Sequence, residues 1–304
     1  MNRFLIDTPN EPLINMAIDN WMARDFDLAP GAMVVRIYGW DSPAITIGRN
    51  QSWDAALDLE KLQPGEIAIR RITGGRALYH DLSEITYSVA FQTPDLENPG
   101  TFSPAQAREV SGKIAAAVAT FLRSIGIPAN VEKVGGSQPL LGWTGNRKTM
   151  NPKCFDSVAR YEICAGGQKV AVGAQRILGG RFFQHGSIKP RGNISHPALF
   201  SGLKDNQGNK LTGGRCSMYI GTEPNSPSLA LAIKKIFEDI FDHKIPVREL
   251  TVNELEDIHS KVKLLDFSRR PQAQGPPQMV FSQRRFLGNH GGSGAKISLV
   301  SRYK

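Results

Sequence analysis

The stretch 154–188, CFDSVARYEICAGGQKVAVGAQRILGGRFFQHGSI, constrains the fold more than any other part of the chain. Segments 158–164 and 169–175 have strand composition and flank Gly166-Gly167, a pair that supplies the positive φ angles of a tight hairpin turn. FFQHGSI follows as a third strand, so the chain must build a sheet here. A period of two on the second strand puts Lys169, Ala171, Gly173 and Gln175 on one face, with Val170, Val172 and Ala174 on the other. Cys154 lies just upstream, after Pro152, where the chain enters the hairpin from a loop. A thiol and an ammonium thus share one local unit, and a nearby ammonium favours the nucleophilic thiolate. The hairpin by itself fits a loop cysteine and a solvated strand lysine better than a paired thiol and ammonium.

The flanking sequence reads as mixed α and β structure. LINMAIDNWMAR carries apolar residues at helical spacing behind Asn10-Glu11-Pro12. AMVVRIYGW and PAITIGRN read as strands joined by Asp41-Ser42-Pro43, followed by a short helix near 53–62 and the strand EIAIRRI. ALYHD and ITYSVAF read as further strands. Residues 104–125 form the strongest helical pattern, with Val110, Ile114, Val118, Phe121, Leu122 and Ile125 in one stripe. ANVEKV reads as a strand, and 135–153 as a long loop or lid rich in Gly, Pro, Asn and Lys. Residues 229–241 read as a helix, and Thr251 opens another through a T-x-x-E capping box with Glu254.

Charge must be divided along the chain before it is interpreted. Residues 269–304 hold Arg269, Arg270, Arg284, Arg285, Lys296, Arg302 and Lys304 and no acid, so of the net charge of +9 only +2 belongs to 1–268. The body is near neutral, which argues against a nucleic-acid partner, and no apolar run approaches membrane-spanning length. Asp7 and Glu11 interrupt the N-terminus, which does not read as a signal peptide. Cys154, Cys164 and Cys216 have no CxxC spacing and cannot all pair, which fits a reducing, cytoplasmic setting. A catalytic domain over 1–268 (core about 31–246, C-terminal helices to about 267) and a disordered basic tail over 269–304 are expected.

A second chemical block, RRITGGRALYHD, spans 70–81 between two apolar strands. Glycines at a strand-to-loop junction let backbone N–H groups approach a ligand oxygen, although Gly-Gly after a strand also serves as a plain turn. Arg70 and Arg71 also fit a solvated edge, and His80 a structural histidine. No P-loop pattern occurs, and Cys154, Cys164, His185, His196 and Cys216 contain no close ligand pair, so no metal site is expected.

Taken together, RRITGGRALYHDLSEITYSV, the Cys-Phe-Asp-x-x-x-x-Tyr-Glu segment, GQKVAVGAQ and QHGSI resemble the biotin/lipoate protein ligase superfamily and, within it, octanoyltransferases of the LipM type. Asn15, Ala17 and Asp19 in N-x-A-x-D, and the spacing Arg36…Pro43…Gly48…Gln51, extend the resemblance over about 13–267. It implies an α+β (mixed α/β) domain of two β-sheets flanked by helices. It implies transfer of an octanoyl group from octanoyl-acyl-carrier protein to a lysine of a lipoyl domain, such as the glycine cleavage H protein or a 2-oxoacid dehydrogenase subunit. No cofactor, nucleic acid or membrane enters that chemistry. Cys154 falls on the family's nucleophile, and Lys169 on the lysine that lowers its pKa. Arg71, Thr73, Gly74, Gly75, His80, Ala171 and Gly173 are the substrate-binding candidates. Gly74-Gly75 would supply oxyanion donors, Ala171 and Gly173 an apolar slot, and His80 would orient or deprotonate the acceptor amine. The loop 135–150 and the basic tail depart from the family pattern. Two other activities share the fold: ATP-dependent lipoate–protein ligase, where a third glycine usually stands at the position of Arg76, and amidotransfer between lipoyl domains. A non-catalytic carrier-binding or acyl-binding module is the alternative of another class.

Overall fold

Arg3–Ile6 pairs in parallel with Met33–Tyr38, and these two strands, β1 and β2, open a seven-stranded sheet. The computed structural model describes residues 1–94, 101–133, 161–189, 196 and 226–269. Between β1 and β2 lies helix α1, Pro12–Arg24, whose apolar residues are buried together with Asn15 and Asp19. The next strand, Ala44–Ile47 (β3), leaves the large sheet. It pairs in parallel with Ile67–Arg70 (β4) and antiparallel with Leu78–His80 (β5) in a second, four-stranded sheet. The Asp41–Pro43 turn therefore carries the chain from one sheet to the other. The stretch 53–62 is a one-turn helix, Trp53–Ala56 (α2), followed by a 3-10 turn at Leu59–Lys61.

Ile85–Gln92 (β6) returns to the large sheet, antiparallel to β2. Helix α3, Pro104–Ser124, starts at Ser103 with a complete capping box to Gln106 and Pro104 in its first turn. Its stripe is buried as the periodicity requires: Ile114 and Leu122 are fully covered, and Val110, Val118 and Phe121 nearly so. Asn130–Lys133 (β7), Tyr161–Ala165 (β8), Gln168–Leu178 (β9) and Arg181–Ile188 (β10) complete the large sheet in the order β1-β2-β6-β10-β9-β8-β7. Helix α4, Pro227–Phe241, joins α3 in the main core through Ile233, Phe237 and Phe241. Helix α5, Val252–Val262, carries the Thr251–Glu254 capping box. Phe267–Arg269 (β11) then pairs with β4, so paired structure reaches one residue past 268, and residues Met1–Arg270 form one compact unit. The fold is α+β with two mixed sheets flanked by helices. No helix among the described residues is long and apolar enough to cross a membrane.

The hairpin forms where expected, with Gly166 at φ +56° and Gly167 at φ +75°. Its second strand breaks the period of two. Ile163 faces Ala171 and Cys164 faces Lys169, so Val170 is an extra residue, a β-bulge, and its carbonyl accepts from Lys189 N at 2.9 Å. Ala171 and Ile163 join the core under α3. Lys169 turns to the opposite face with Cys164, not to the face of Ala171 and Gly173.

Candidate active site

The loop after β4 is shaped by Arg71. Its Nη2 donates to the carbonyls of Gly74 and Arg76 (both 2.7 Å), Nη1 to the Thr46 carbonyl (3.2 Å), and Nε to Thr73 Oγ1 (3.2 Å) and the Gly74 carbonyl (3.1 Å). The buried guanidinium thus ties the loop's backbone to itself and to β3. Gly75 sits at φ +87° against Ala174 of β9. A side chain on Gly48 would overlap the Gly75 carbonyl, and Gly48 N donates to Gln51 Oε1 at 2.8 Å. The spaced Gly48 and Gln51 thus form the seat on which the Gly74-Gly75 loop rests.

Thr73 is fully buried and begins a chain of polar contacts that ends in helix α1. Thr73 Oγ1 is 2.6 Å from His185 Nε2, and His185 Nδ1 is 2.7 Å from Asp19 Oδ2. Because Thr73 Oγ1 accepts from Arg71, its hydrogen is assigned to His185 Nε2, and His185 donates through Nδ1 to Asp19. Asp19 also accepts from Tyr38 (3.0 Å) and Arg36 (3.2 Å), and Arg36 Nη2 donates to Asn15 Oδ1 at 2.7 Å. Burial alone would raise the Asp19 carboxyl, but His185, Arg36 and Ser88 overcome it and hold the group below its ordinary range. Asn15, Asp19, Arg36 and Thr73 are therefore one architectural network, with His185 as the link that spacing did not reveal.

His80 is committed in the same way. Its Nδ1 is 2.8 Å from Glu84, its Nε2 is 2.8 Å from Thr46 Oγ1, and its ring stacks on Trp40 at 4.1 Å. With both nitrogens engaged, the ring has none left for a substrate amine in this arrangement. Burial lowers its pKa against the opposing pull of Glu84. Burial would raise Glu84, but His80 and Lys189 bring it to about 2. Lys189, itself buried, bonds Asp81 at 2.9 Å and stands 3.2 Å from the second oxygen of Glu84, an ion pair off the hydrogen-bonding direction.

Four of the expected substrate-binding residues meet at one cavity of about 560 Å³. Gly74 and Gly75 border it from the loop, Ala171 and Gly173 from β9, and Ala107, Ser111 and Ala115 from one face of α3. Tyr87 and Gln184 complete its floor. Arg71, His80 and Gly173 line a second space of about 30 Å³ between the two sheets, and Lys169 borders neither. Lys169 Nζ is instead 2.8 Å from Glu162, with only 8% and 1% of the two side chains exposed. Opposite Lys169 stands Cys164, whose thiol burial pushes up to about 12, helped by Glu132 and Glu162. A thiol so protonated is no nucleophile near neutrality. Cys154, the expected nucleophile, lies outside the described residues, as do Cys216, the loop 135–150 and the tail from 270 onward.

Residues 11–218 match the lipoyl protein ligase A/B catalytic domain, and the chain belongs to that family. Among sequence relatives, it is 35% identical over 186 residues to Octanoyltransferase LipM of Moorella thermoacetica, covering 60% of this chain and 63% of the relative. It is also 35% identical over 198 residues to Octanoyltransferase LipM of Symbiobacterium thermophilum, covering 64% and 67%. The match thus spans a little under two thirds of the Moorella relative's length. The fold is similar to that of Ta0514, a putative lipoate protein ligase from T. acidophilum with bound lipoic acid. That comparison gives a TM-score of 0.61 and 18% identity over 86% of this chain and 94% of the other. It is also similar to P. falciparum LipL1 in complex with lipoate, with a TM-score of 0.55 and 15% identity over 94% and 78%.

Proposed function

We propose that this chain is a protein N-octanoyltransferase that moves an octanoyl group from octanoyl-acyl-carrier protein to a lysine of a lipoyl domain. The observation that carries the reading is the 560 Å³ cavity between α3 and β9, bordered by Gly74-Gly75 and lined by small residues. Similarity to octanoyltransferases supports the same choice of acyl group. In the first step the Cys154 thiolate attacks the thioester carbonyl, a carbon–sulfur bond forms, and the carrier thiolate leaves and takes up a proton. In the second, the lysine amine attacks the acyl-cysteine, a carbon–nitrogen bond forms, and the amine's proton ends on the released Cys154 sulfur. Each acyl donor is a thioester, so no nucleotide is consumed. Lys169, held by Glu162, supplies the positive charge toward which the thiolate is stabilised.

The test is intact-mass spectrometry after mixing with octanoyl carrier protein in the absence of ATP. The expected result is one octanoyl adduct on Cys154, absent in Cys154→Ser, together with loss of transfer to a lipoyl domain. Full transfer by Cys154→Ser would overturn the reading. ATP-dependent pyrophosphate release with free octanoate or lipoate would replace it with the ligase reading.

A further inference from the structure

The floor of the cavity holds an arrangement that a purely apolar slot does not need. Tyr87 of β6, Gly186 of β10 and Gly173 of β9 stand in one row across the sheet. The two glycines leave a trough, and the Tyr87 ring lies in it: a side chain on Gly186 would overlap the ring, and one on Gly173 would stand 3.1 Å from the Tyr87 hydroxyl. Gln184 Nε2 donates to that hydroxyl at 3.0 Å. The phenol oxygen is therefore occupied as an acceptor while its own hydrogen remains, and among the described residues no oxygen accepts it. Tyr87 is only 2% exposed, yet it lines the cavity, so this hydrogen has the cavity as its outlet. Burial lifts the phenol to about 12, which keeps it a donor at neutral pH. Of the other polar residues that line the cavity, which include Arg108, Tyr161 and Gln175, Ser111 does not compete, because it donates to the Ala107 carbonyl at 2.7 Å and contacts Gln175.

An octanoyl group has one polar atom to offer such a donor, its carbonyl oxygen. We infer that the Tyr87 hydroxyl is the hydrogen-bond donor that holds the acyl carbonyl in this cavity, with Gln184 fixing the direction of its O–H. The inference rests on the acyl-transfer reading and adds a residue to it. The apolar part of the lining, which includes Ile163 and Ala171, then takes the alkyl chain. A desolvated carbonyl without a donor costs free energy, so this contact favours acyl groups over plain alkyl chains of equal length.

The probe is octanamide, an unreactive carbonyl-bearing chain, labelled with carbon-13 at its carbonyl and added to the full-length protein. Calorimetry and isotope-edited infrared spectra give affinity and carbonyl frequency. The expected result is binding by the wild-type protein with a carbonyl band shifted below its position in hexane. Tyr87→Phe, which keeps the ring in its trough, should weaken octanamide about fivefold, the ordinary worth of one net hydrogen bond, and return the band toward the hexane value. Gln184→Met, which leaves the hydroxyl unoriented, should fall between the two. No octanamide binding by wild-type protein would overturn the acyl-cavity reading and this inference with it. Binding with affinity and band unchanged in Tyr87→Phe overturns the Tyr87 assignment alone. So does a Tyr87→Phe protein whose only change is a preference for decanamide, since Tyr87 would then be a stop for the chain end. Should Tyr87→Phe fail to fold, a wild-type bound band at the hexane position still overturns the assignment.

Discussion

At the scale of residues, the side chains that resemblance singles out divide into those that build the loop and those that border the cavity. Arg71 is a builder. Replacing it by Met removes donors from the buried carbonyl of Thr46 and the partly buried carbonyls of Gly74 and Arg76, and should cost about 3 kcal/mol of stability, read by urea denaturation. A substrate-binding arginine would instead give a normal melt with a raised KM. Cys164 supplies a second residue-level prediction. With its thiol buried and pushed up to about 12, it should stay unmodified by iodoacetamide at pH 8 in the folded protein and react only after denaturation. Peptide mapping that finds Cys164 alkylated in the native state would show that its burial or its two acidic neighbours have been misjudged. The spaced Asn15, Asp19 and Arg36 are legible as a set from sequence, but His185, the partner of Asp19, is not. It lies 166 positions from Asp19, and neither helical nor strand period links them.

At the scale of elements, local chemistry accounts for most of what sequence makes legible. The Gly166-Gly167 turn, the α3 stripe and both capping boxes depend on neighbours within one or two turns, so pattern finds them. Strand β1 and the Val170 bulge depend on a partner strand and carry no glycine or proline to mark them. The bulge matters most, because a period of two carried through it puts Lys169 on the wrong face. Deleting Val170 should restore strict pairing with Lys169 still opposite Cys164, remove the carbonyl that accepts from Lys189 N, and lower transfer while the hairpin persists. Hydrogen exchange of β8 and β9 amides alongside activity would check both halves of that outcome. Gly186→Ala probes the floor of the cavity. Its methyl group would meet the Tyr87 ring, so a loss of about 1–3 kcal/mol in stability is expected, measured by thermal unfolding.

At the scale of the whole molecule, buried charge links the two sheets and sets the acid limit. Glu84 falls from an ordinary 4.5 to about 2 on folding. A carboxylate with a depressed folded pKa stabilises above its unfolded value, and that contribution is lost as pH falls through the folded one. About 3 kcal/mol should therefore disappear between pH 4.5 and 2. Glu84→Gln should show a shallower fall of stability over that window in chemical denaturation at stepped pH. The small sheet has a different dependence on the rest of the chain. Strand β4, with Ile67 and Ile69, is closed on one side only by β11, and Arg70 donates to Asp266, 196 positions away, at 2.6 Å. A chain ending at Asp266 should lose solubility as well as stability, seen as light scattering on warming. On the ribosome, at about 5–20 residues per second, the edge of β4 waits about 10–40 s for its partner to be synthesised. During that interval an apolar strand with open hydrogen-bonding groups is available to other chains. The rate of translation downstream of β4, and whatever shields nascent chains in the cell, thus become determinants of how much of this protein reaches its native state.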